Sequence, residues 1–475
     1  MDLLSGLKKN NTIFNTKGSK YYATSYNANL DVFTMMTRFN RTNDIINKFH
    51  LAIDEDENLA LANLLYILDI RNGKGERRLF KTIYKDLCLN YPALALRILP
   101  FISELGRFDY VLEGINTPVE KETVALIKDR LNKDLTTNDV SLLAKWLPSI
   151  RTHNKNNKLA KKLVKLLGMS EKEYRYTLKT LRDKINIVES NLTNKTYDKI
   201  DFSKVPSKAM LKYNNAFNRH LESEFKEYKK SLVKGETKIN TTGLFCYEII
   251  KNIYQNRGDK ELFDLMWQNQ KEIVTNKNVL VVADTSGSMT GFERIPICAS
   301  IGLAIYTAER NTGIFKDHFI TFSEEPTLQI IKGRTIYEKV QNMKCINPLN
   351  TDIDKVFELI LTTATENKIK GEELPSHILI ITDMEFDDGV HSKGGTNFEG
   401  WKKAFKDKGY QLPTIIFWNV AGSTRGIPIT KYDGDVAIIS GFSTNLLENL
   451  FTLDNYNPID VMLEQLTTYL EMLNK

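Results

Sequence analysis

The chain has 475 residues, of which 42% are hydrophobic and 26% charged, with a net charge of +6. Its 23 Phe and 20 Tyr, with only 25 Gly and 12 Pro, exclude a disordered, collagenous or low-complexity chain and leave room for two to four packed domains. No apolar run approaches the roughly 18–20 residues of a membrane span, and the first residues show no secretory pattern. The four cysteines, Cys88, Cys246, Cys298 and Cys345, are far apart and form no CxxC pair, so reduced thiols and a cytoplasmic location are expected.

Residues 1–29 read as an N-terminal extension, and residues 30–272 as helix after helix. Leu30, Val32, Phe33, Met36 and Phe39 keep helical spacing, as do Leu59, Leu61, Leu64, Leu65, Ile67 and Leu68. The Asn72–Gly75 stretch, Pro92, Gly106, Pro118, Pro148 and Pro206 punctuate the series, since Gly and Pro break the i→i−4 ladder. Asp109 and Ser170 are placed to cap the helices that follow them. Short helices joined by short loops predict a HEAT-like solenoid or irregular bundle, without a clean repeat signature.

Charge is uneven along this region. Residues 151–240 hold 22 basic and 10 acidic residues, a net of +12, inside a chain whose remainder is net −6. Such asymmetry suits a polyanion, with a solvated lysine-rich surface as the plainer reading. Lys155, Lys158, Lys161, Lys162 and Lys165 recur at helical spacing and form the candidate nucleic-acid contact. Tyr174 and Tyr176 are candidates for base stacking, against ordinary core packing.

The character changes at 276–475. The strand-like runs 278–283, 318–322, 327–331, 377–382, 414–420 and 436–440 alternate with helical segments at about 295–309, 352–363, 397–408, 445–453 and 458–473. Strands alternating with helices predict a doubly wound, mostly parallel sheet buried on both faces.

The sharpest motif is Asp284-Thr285-Ser286-Gly287-Ser288, directly after the first of these strands. One carboxylate and two hydroxyls at the carboxyl end of a strand, where open sheets bind ligands, are hard donors suited to Mg²⁺ or a similar cation. Thr351 opens a predicted helix, and Asp383 ends the next parallel strand. With these companions the region resembles a von Willebrand factor A domain with a metal-ion-dependent adhesion site. The resemblance implies that Asp284, Ser286, Ser288, Thr351 and Asp383 hold the metal, that one position stays open for an acidic side chain of a protein partner, and that the site binds without turnover. Where that family more usually has Gly soon after the last aspartate, this chain has Met384-Glu385-Phe386-Asp387-Asp388.

Both halves together resemble the TROVE–vWA architecture of the Ro autoantigen and its bacterial relatives, from about residue 25 onward. Phrases such as Arg71–Arg77, Trp146-Leu147-Pro148 and Val205–Met210 look closer to a further family with the same layout. The resemblance implies helices closed into a ring, a monomer, and binding of non-coding or misfolded RNA; a protein scaffold without nucleic acid is the alternative. The Arg71–Arg77 segment also reads as an anion-binding glycine turn, though not a P-loop. Enzyme readings are disfavoured: no GxSxG elbow, HExxH or HxH pair is present, and position 286 is Ser where an aspartyl phosphatase would need Asp.

Overall fold

The computed structural model describes residues 11–15, 17–150, 157–273, 277–322, 325–344, 352–386, 397–422, 426–453 and 455–474. An antiparallel hairpin, β1 (Thr12–Phe14) and β2 (Lys20–Tyr22), precedes the helices. There follow α1 (Ala28–Met35), α2 (Thr42–Glu55), α3 (Glu57–Leu68), α4 (Arg77–Asn90), α5 (Pro92–Leu105), α6 (Glu120–Thr136) and α7 (Leu143–Trp146). The series continues with α8 (Asn157–Leu166), α9 (Glu171–Ile185), α10 (Val188–Asn194), α11 (Ser207–His220), α12 (Glu222–Val233), α13 (Cys246–Tyr254) and α14 (Lys260–Gln268).

Local chemistry sets many of the helix ends. Asn27 caps α1, Asp56 caps α3 and Asp259 caps α14 through side-chain oxygens that accept from backbone N–H groups. Ser170 and Glu173 form a reciprocal capping box on α9. Asp109 behaves differently from expectation. It lies inside a 3₁₀ turn, Phe108–Gly114, and its carboxylate is held by the guanidinium groups of Arg107 and Arg77. Helix α3 is buried at every position from Leu59 to Leu68, which makes it the central strut of the helical half.

The second half is a six-stranded sheet of β3 (Val279–Ala283), β4 (His318–Thr321), β5 (Leu328–Ile330), β6 (His377–Thr382), β7 (Thr414–Asn419) and β8 (Val436–Ser440). Strand order is β5-β4-β3-β6-β7-β8, parallel except for the edge pair β4–β5. Helices α15 (Gly291–Arg310), α16 (Ile336–Lys344), α17 (Asp354–Glu366), α18 (Asn397–Asp407), α19 (Leu446–Thr452) and α20 (Pro458–Leu473) complete it. Sequence periodicity did not mark α16.

Side chains alternate across a strand, so each strand feeds two cores. Leu280, Val282, Ile378, Ile380, Ile415 and Phe417 face a layer that includes Phe357 of α17 and Trp401 of α18. Val279, Val281, Leu379, Ile381, Ile416 and Trp418 face the other side, where the apolar core runs without interruption into the helical half.

The helical half begins and ends on the sheet domain. Helix α1 packs against β8, α3 against α20, and α13 against α15. At the meeting point the Arg38 guanidinium holds Glu76 at 2.9 Å, donates to the Tyr247 hydroxyl at 2.9 Å and lies 4.4 Å from the centre of the Phe442 ring.

Candidate metal centre

Strand β3 hands directly to the site. The Asp284 N–H donates to the Ile381 carbonyl at 2.9 Å, extending the β3–β6 ladder by one residue and carrying the side chain to the carboxyl rim. Asp284 is 1% exposed. Its Oδ1 accepts from the Ser286 N–H at 2.9 Å, and its Oδ2 accepts from the Thr382 hydroxyl at 2.9 Å. The hydroxyls of Ser286 and Ser288 lie 3.0 Å apart.

Asp383, 3% exposed, follows β6, the neighbour of β3, and its Oδ1 accepts from the Glu385 N–H at 3.0 Å. Asp284, Ser286, Ser288 and Asp383 therefore come from two adjacent loops on one rim. Thr351 lies outside the described residues, as do Asp387 and Asp388. The next described residue, Asp352, accepts from the Asp354 N–H at 3.0 Å at the start of α17.

Burial, reinforced by the nearby charge of Asp383, pushes the Asp284 carboxyl up to about 6. Among the described residues no Lys or Arg forms an ion pair with either carboxylate. The Thr285 hydroxyl is buried without a hydrogen-bond partner. Buried acids normally need a paired charge or a metal. A hard cation fits this donor set, which offers oxygen alone. Among the described residues no three His, Cys, Asp or Glu side chains gather into a metal-holding group, so the hydroxyls of Ser286 and Ser288 would have to complete the donor set.

Sequence reasoning missed Thr382, which orients Asp284 while also accepting from the Met384 N–H at 3.1 Å. It also missed the role of β1–β2. The Tyr21 hydroxyl donates to the Met384 carbonyl at 2.8 Å, and the Ser19 hydroxyl to that of Phe386 at 2.9 Å. These bonds brace the loop that carries Asp383. Tyr21 and Met384 are 363 positions apart, so nothing local in the sequence could announce the contact. Met384 itself has φ 68°, the left-handed conformation that glycine adopts most easily.

The basic segment is less free than its composition suggests. Lys158, Lys161 and Lys165 are exposed along α8, but Lys162 is bound to Glu120 and Asn116, and Lys155 lies outside the described residues. Tyr174 cannot stack on a base: it is fully buried and donates to the Pro148 carbonyl at 2.8 Å. Tyr176 is 72% exposed. The reading of Arg71–Arg77 as an anion-binding turn fails at its centre. Lys74 points inward, fully buried, donating to the Phe33 carbonyl and to the Ser440 hydroxyl. Burial pushes its ammonium group down to about 7, opposed in part by Glu76. Cys88, Cys246 and Cys298 are buried and lie outside any disulfide. Among the described residues no helix is long and apolar enough to cross a membrane.

Comparison with known proteins places both halves. Residues 122–282 match a family described as a domain of unknown function, DUF2828, and residues 278–465 match a second, DUF7788. The chain is also similar to the crystal structure of the Ro (RSR) protein of Deinococcus radiodurans, at 15% identity and a TM-score of 0.38, over 89% of this chain and 91% of that one. It is 31% identical over 508 aligned positions to "Uncharacterized protein L728" of Acanthamoeba polyphaga mimivirus, a match that takes in 97% of this chain and 88% of the relative. At that identity and coverage, the chain belongs to the same protein family as this mimivirus protein.

Proposed function

We propose that the protein is a non-enzymatic docking protein whose sheet rim holds a hard divalent cation, Mg²⁺ or an equivalent, and whose helical half binds RNA. Asp284, Ser286, Ser288, Thr351 and Asp383 would hold the ion, as the resemblance to von Willebrand factor A domains implies. The bound ion would supply an open coordination position for an acidic side chain of a protein partner. The observation that carries this reading is the pair of buried carboxylates, Asp284 and Asp383, to which no basic side chain is paired among the described residues. Among the described residues the Ser286 hydroxyl meets the Ser288 hydroxyl and its N–H donates to Asp284, and no histidine is among these partners.

Exposed Lys158, Lys161 and Lys165, with Tyr176, offer phosphate and stacking contacts for the RNA. Purification without nuclease should bring RNA with the protein. Lys158/Lys161/Lys165→Glu should weaken RNA binding and flatten its salt dependence by about one log–log unit per lost contact. Equal, salt-insensitive binding by both proteins would remove the RNA half of the proposal.

A scaffold that binds no nucleic acid is the second reading. The Lys162–Glu120 ion pair and the burial of Tyr174 favour it, because both withdraw groups that RNA would use. It predicts an EDTA-sensitive protein complex from Asp284-containing chains and no RNA.

A further inference from the structure

The sheet has two edges, and the chain treats them differently. Strand β8 is buried at every residue, and α1 packs against it. Strand β5, at the other edge, is open: Leu328 is 48% exposed and Ile330 is 55% exposed. Edge strands are usually guarded by charges, prolines or bulges, and these two positions carry apolar side chains instead.

The ladder fixes which backbone groups point outward. Strand β5 runs antiparallel to β4, with His318 opposite Ile330, Phe319 opposite Gln329 and Ile320 opposite Leu328. The Ile331 N–H donates to the Asp317 carbonyl at 2.8 Å. Antiparallel ladders alternate, so Gln329 and Ile331 turn their N–H and C=O groups towards β4, while Leu328 and Ile330 turn theirs away from the sheet.

The edge is also complementary to itself. Turned about a twofold axis at Gln329, Leu328 of each copy faces Ile330 of the other. The facing residues exchange both N–H···O bonds, and their side chains meet on one face. Ile320, the β4 neighbour of Leu328, belongs to the core layer of Phe357 and Trp401, so these side chains extend that layer across the axis. Exposed Glu325 precedes the strand, and exposed Lys332 and Arg334 follow it. Antiparallel pairing sets the acidic end of one strand beside the basic end of the other; parallel pairing would set like charges together.

We propose that β5 pairs with β5 of a second copy of this chain about that axis, joining the two sheets into one. This departs from the monomer that the resemblance to Ro-like proteins implies. Each chain offers one open edge, so the contact closes at a dimer. Strand β4 separates β5 from β3, which makes the contact independent of an ion at Asp284.

Sedimentation velocity of the full chain, treated with nuclease and EDTA, tests the proposal. Wild type should pass from monomer to dimer as concentration rises through the micromolar range. Ile330→Pro removes an outward N–H and leaves the β4 ladder intact, and should weaken the dimer by at least about tenfold. Leu328→Lys should weaken it too by placing a charge in the apolar contact, and with that side chain half exposed the fold is kept. Glu325→Lys should weaken self-association, as should Lys332→Glu/Arg334→Glu, and a mixture of these two variants should form a heterodimer tighter than either homodimer. Monomeric wild type throughout, a dimer equally strong in Ile330→Pro and Leu328→Lys, assembly beyond two copies, or a mixture no tighter than its components would each overturn the proposal.

Discussion

Asp284 sits under two pressures of the same sign, loss of water and the charge of Asp383, and both favour its neutral form. A bound cation reverses that balance. Asp284→Asn should therefore hold or raise the thermal midpoint of metal-free protein at pH 7.5, while abolishing the rise that Mg²⁺ is expected to give the wild type. At a hundredfold excess over its dissociation constant that rise corresponds to about 2.7 kcal/mol. Differential scanning fluorimetry with and without EDTA reads both effects. His377, at the start of β6, is the residue to follow with acid. It is 5% exposed, its Nδ1 meets the Ser376 hydroxyl at 2.9 Å, its ring packs edge-on to Tyr456, and burial with nearby Lys277 pushes it down to about 4. The unfolded chain takes up the proton first, near its ordinary value of about 6.5. The contribution is complete above that value and is lost as pH falls towards about 4. His377→Gln should flatten the decline of the melting midpoint over this window; an unchanged slope would assign the acid sensitivity elsewhere.

Among the elements, the sheet was the most readable part. Its strands are near-continuous apolar runs such as Val279–Ala283 and His377–Thr382, bounded by Asp, and both are buried throughout. The motif at Asp284–Ser288 and the strand-end Asp383 were legible for the same reason: their spacing is local. What escaped was non-local. The brace from Tyr21 to the Asp383 loop, the hydrogen bond that Thr382 donates to Asp284 and the inward turn of Lys74 depend on segments that meet only after folding. Composition misled for Tyr174, because an aromatic residue inside a lysine-rich stretch reads the same whether it faces water or the core. The glycine turn after α3 tests the element scale directly. Gly75 has φ 60°, and a Cβ there would lie 2.5 Å from Ile70 Cδ1 and 3.0 Å from Phe245 Cζ. Gly75→Ala should cost about 1–2 kcal/mol from the left-handed backbone alone. Chemical denaturation should show a lower midpoint at an unchanged slope.

Across the whole molecule, the two halves share one apolar core on one face of the sheet, and the ends of the helical half meet at Arg38, Glu76 and Tyr247. The Glu76 side chain is fully buried, and Arg38 holds it through two guanidinium nitrogens. Removing one partner of such a pair leaves a buried charge unanswered, so Glu76→Ala should destabilise by about 3–5 kcal/mol. Because Arg38 also lies against the Phe442 ring of the sheet domain, the loss should appear as a single cooperative transition of the full chain; two separate transitions in calorimetry would show that the halves unfold independently.

Titration of metal-stripped protein with Mn²⁺, followed by electron paramagnetic resonance and competed with Mg²⁺, asks whether the rim around Asp284 holds one hard divalent ion. We predict one Mn²⁺ per chain, displaced by Mg²⁺ and absent in Asp284→Asn. Failure of wild type to bind, or binding unchanged in that variant, would contradict the account.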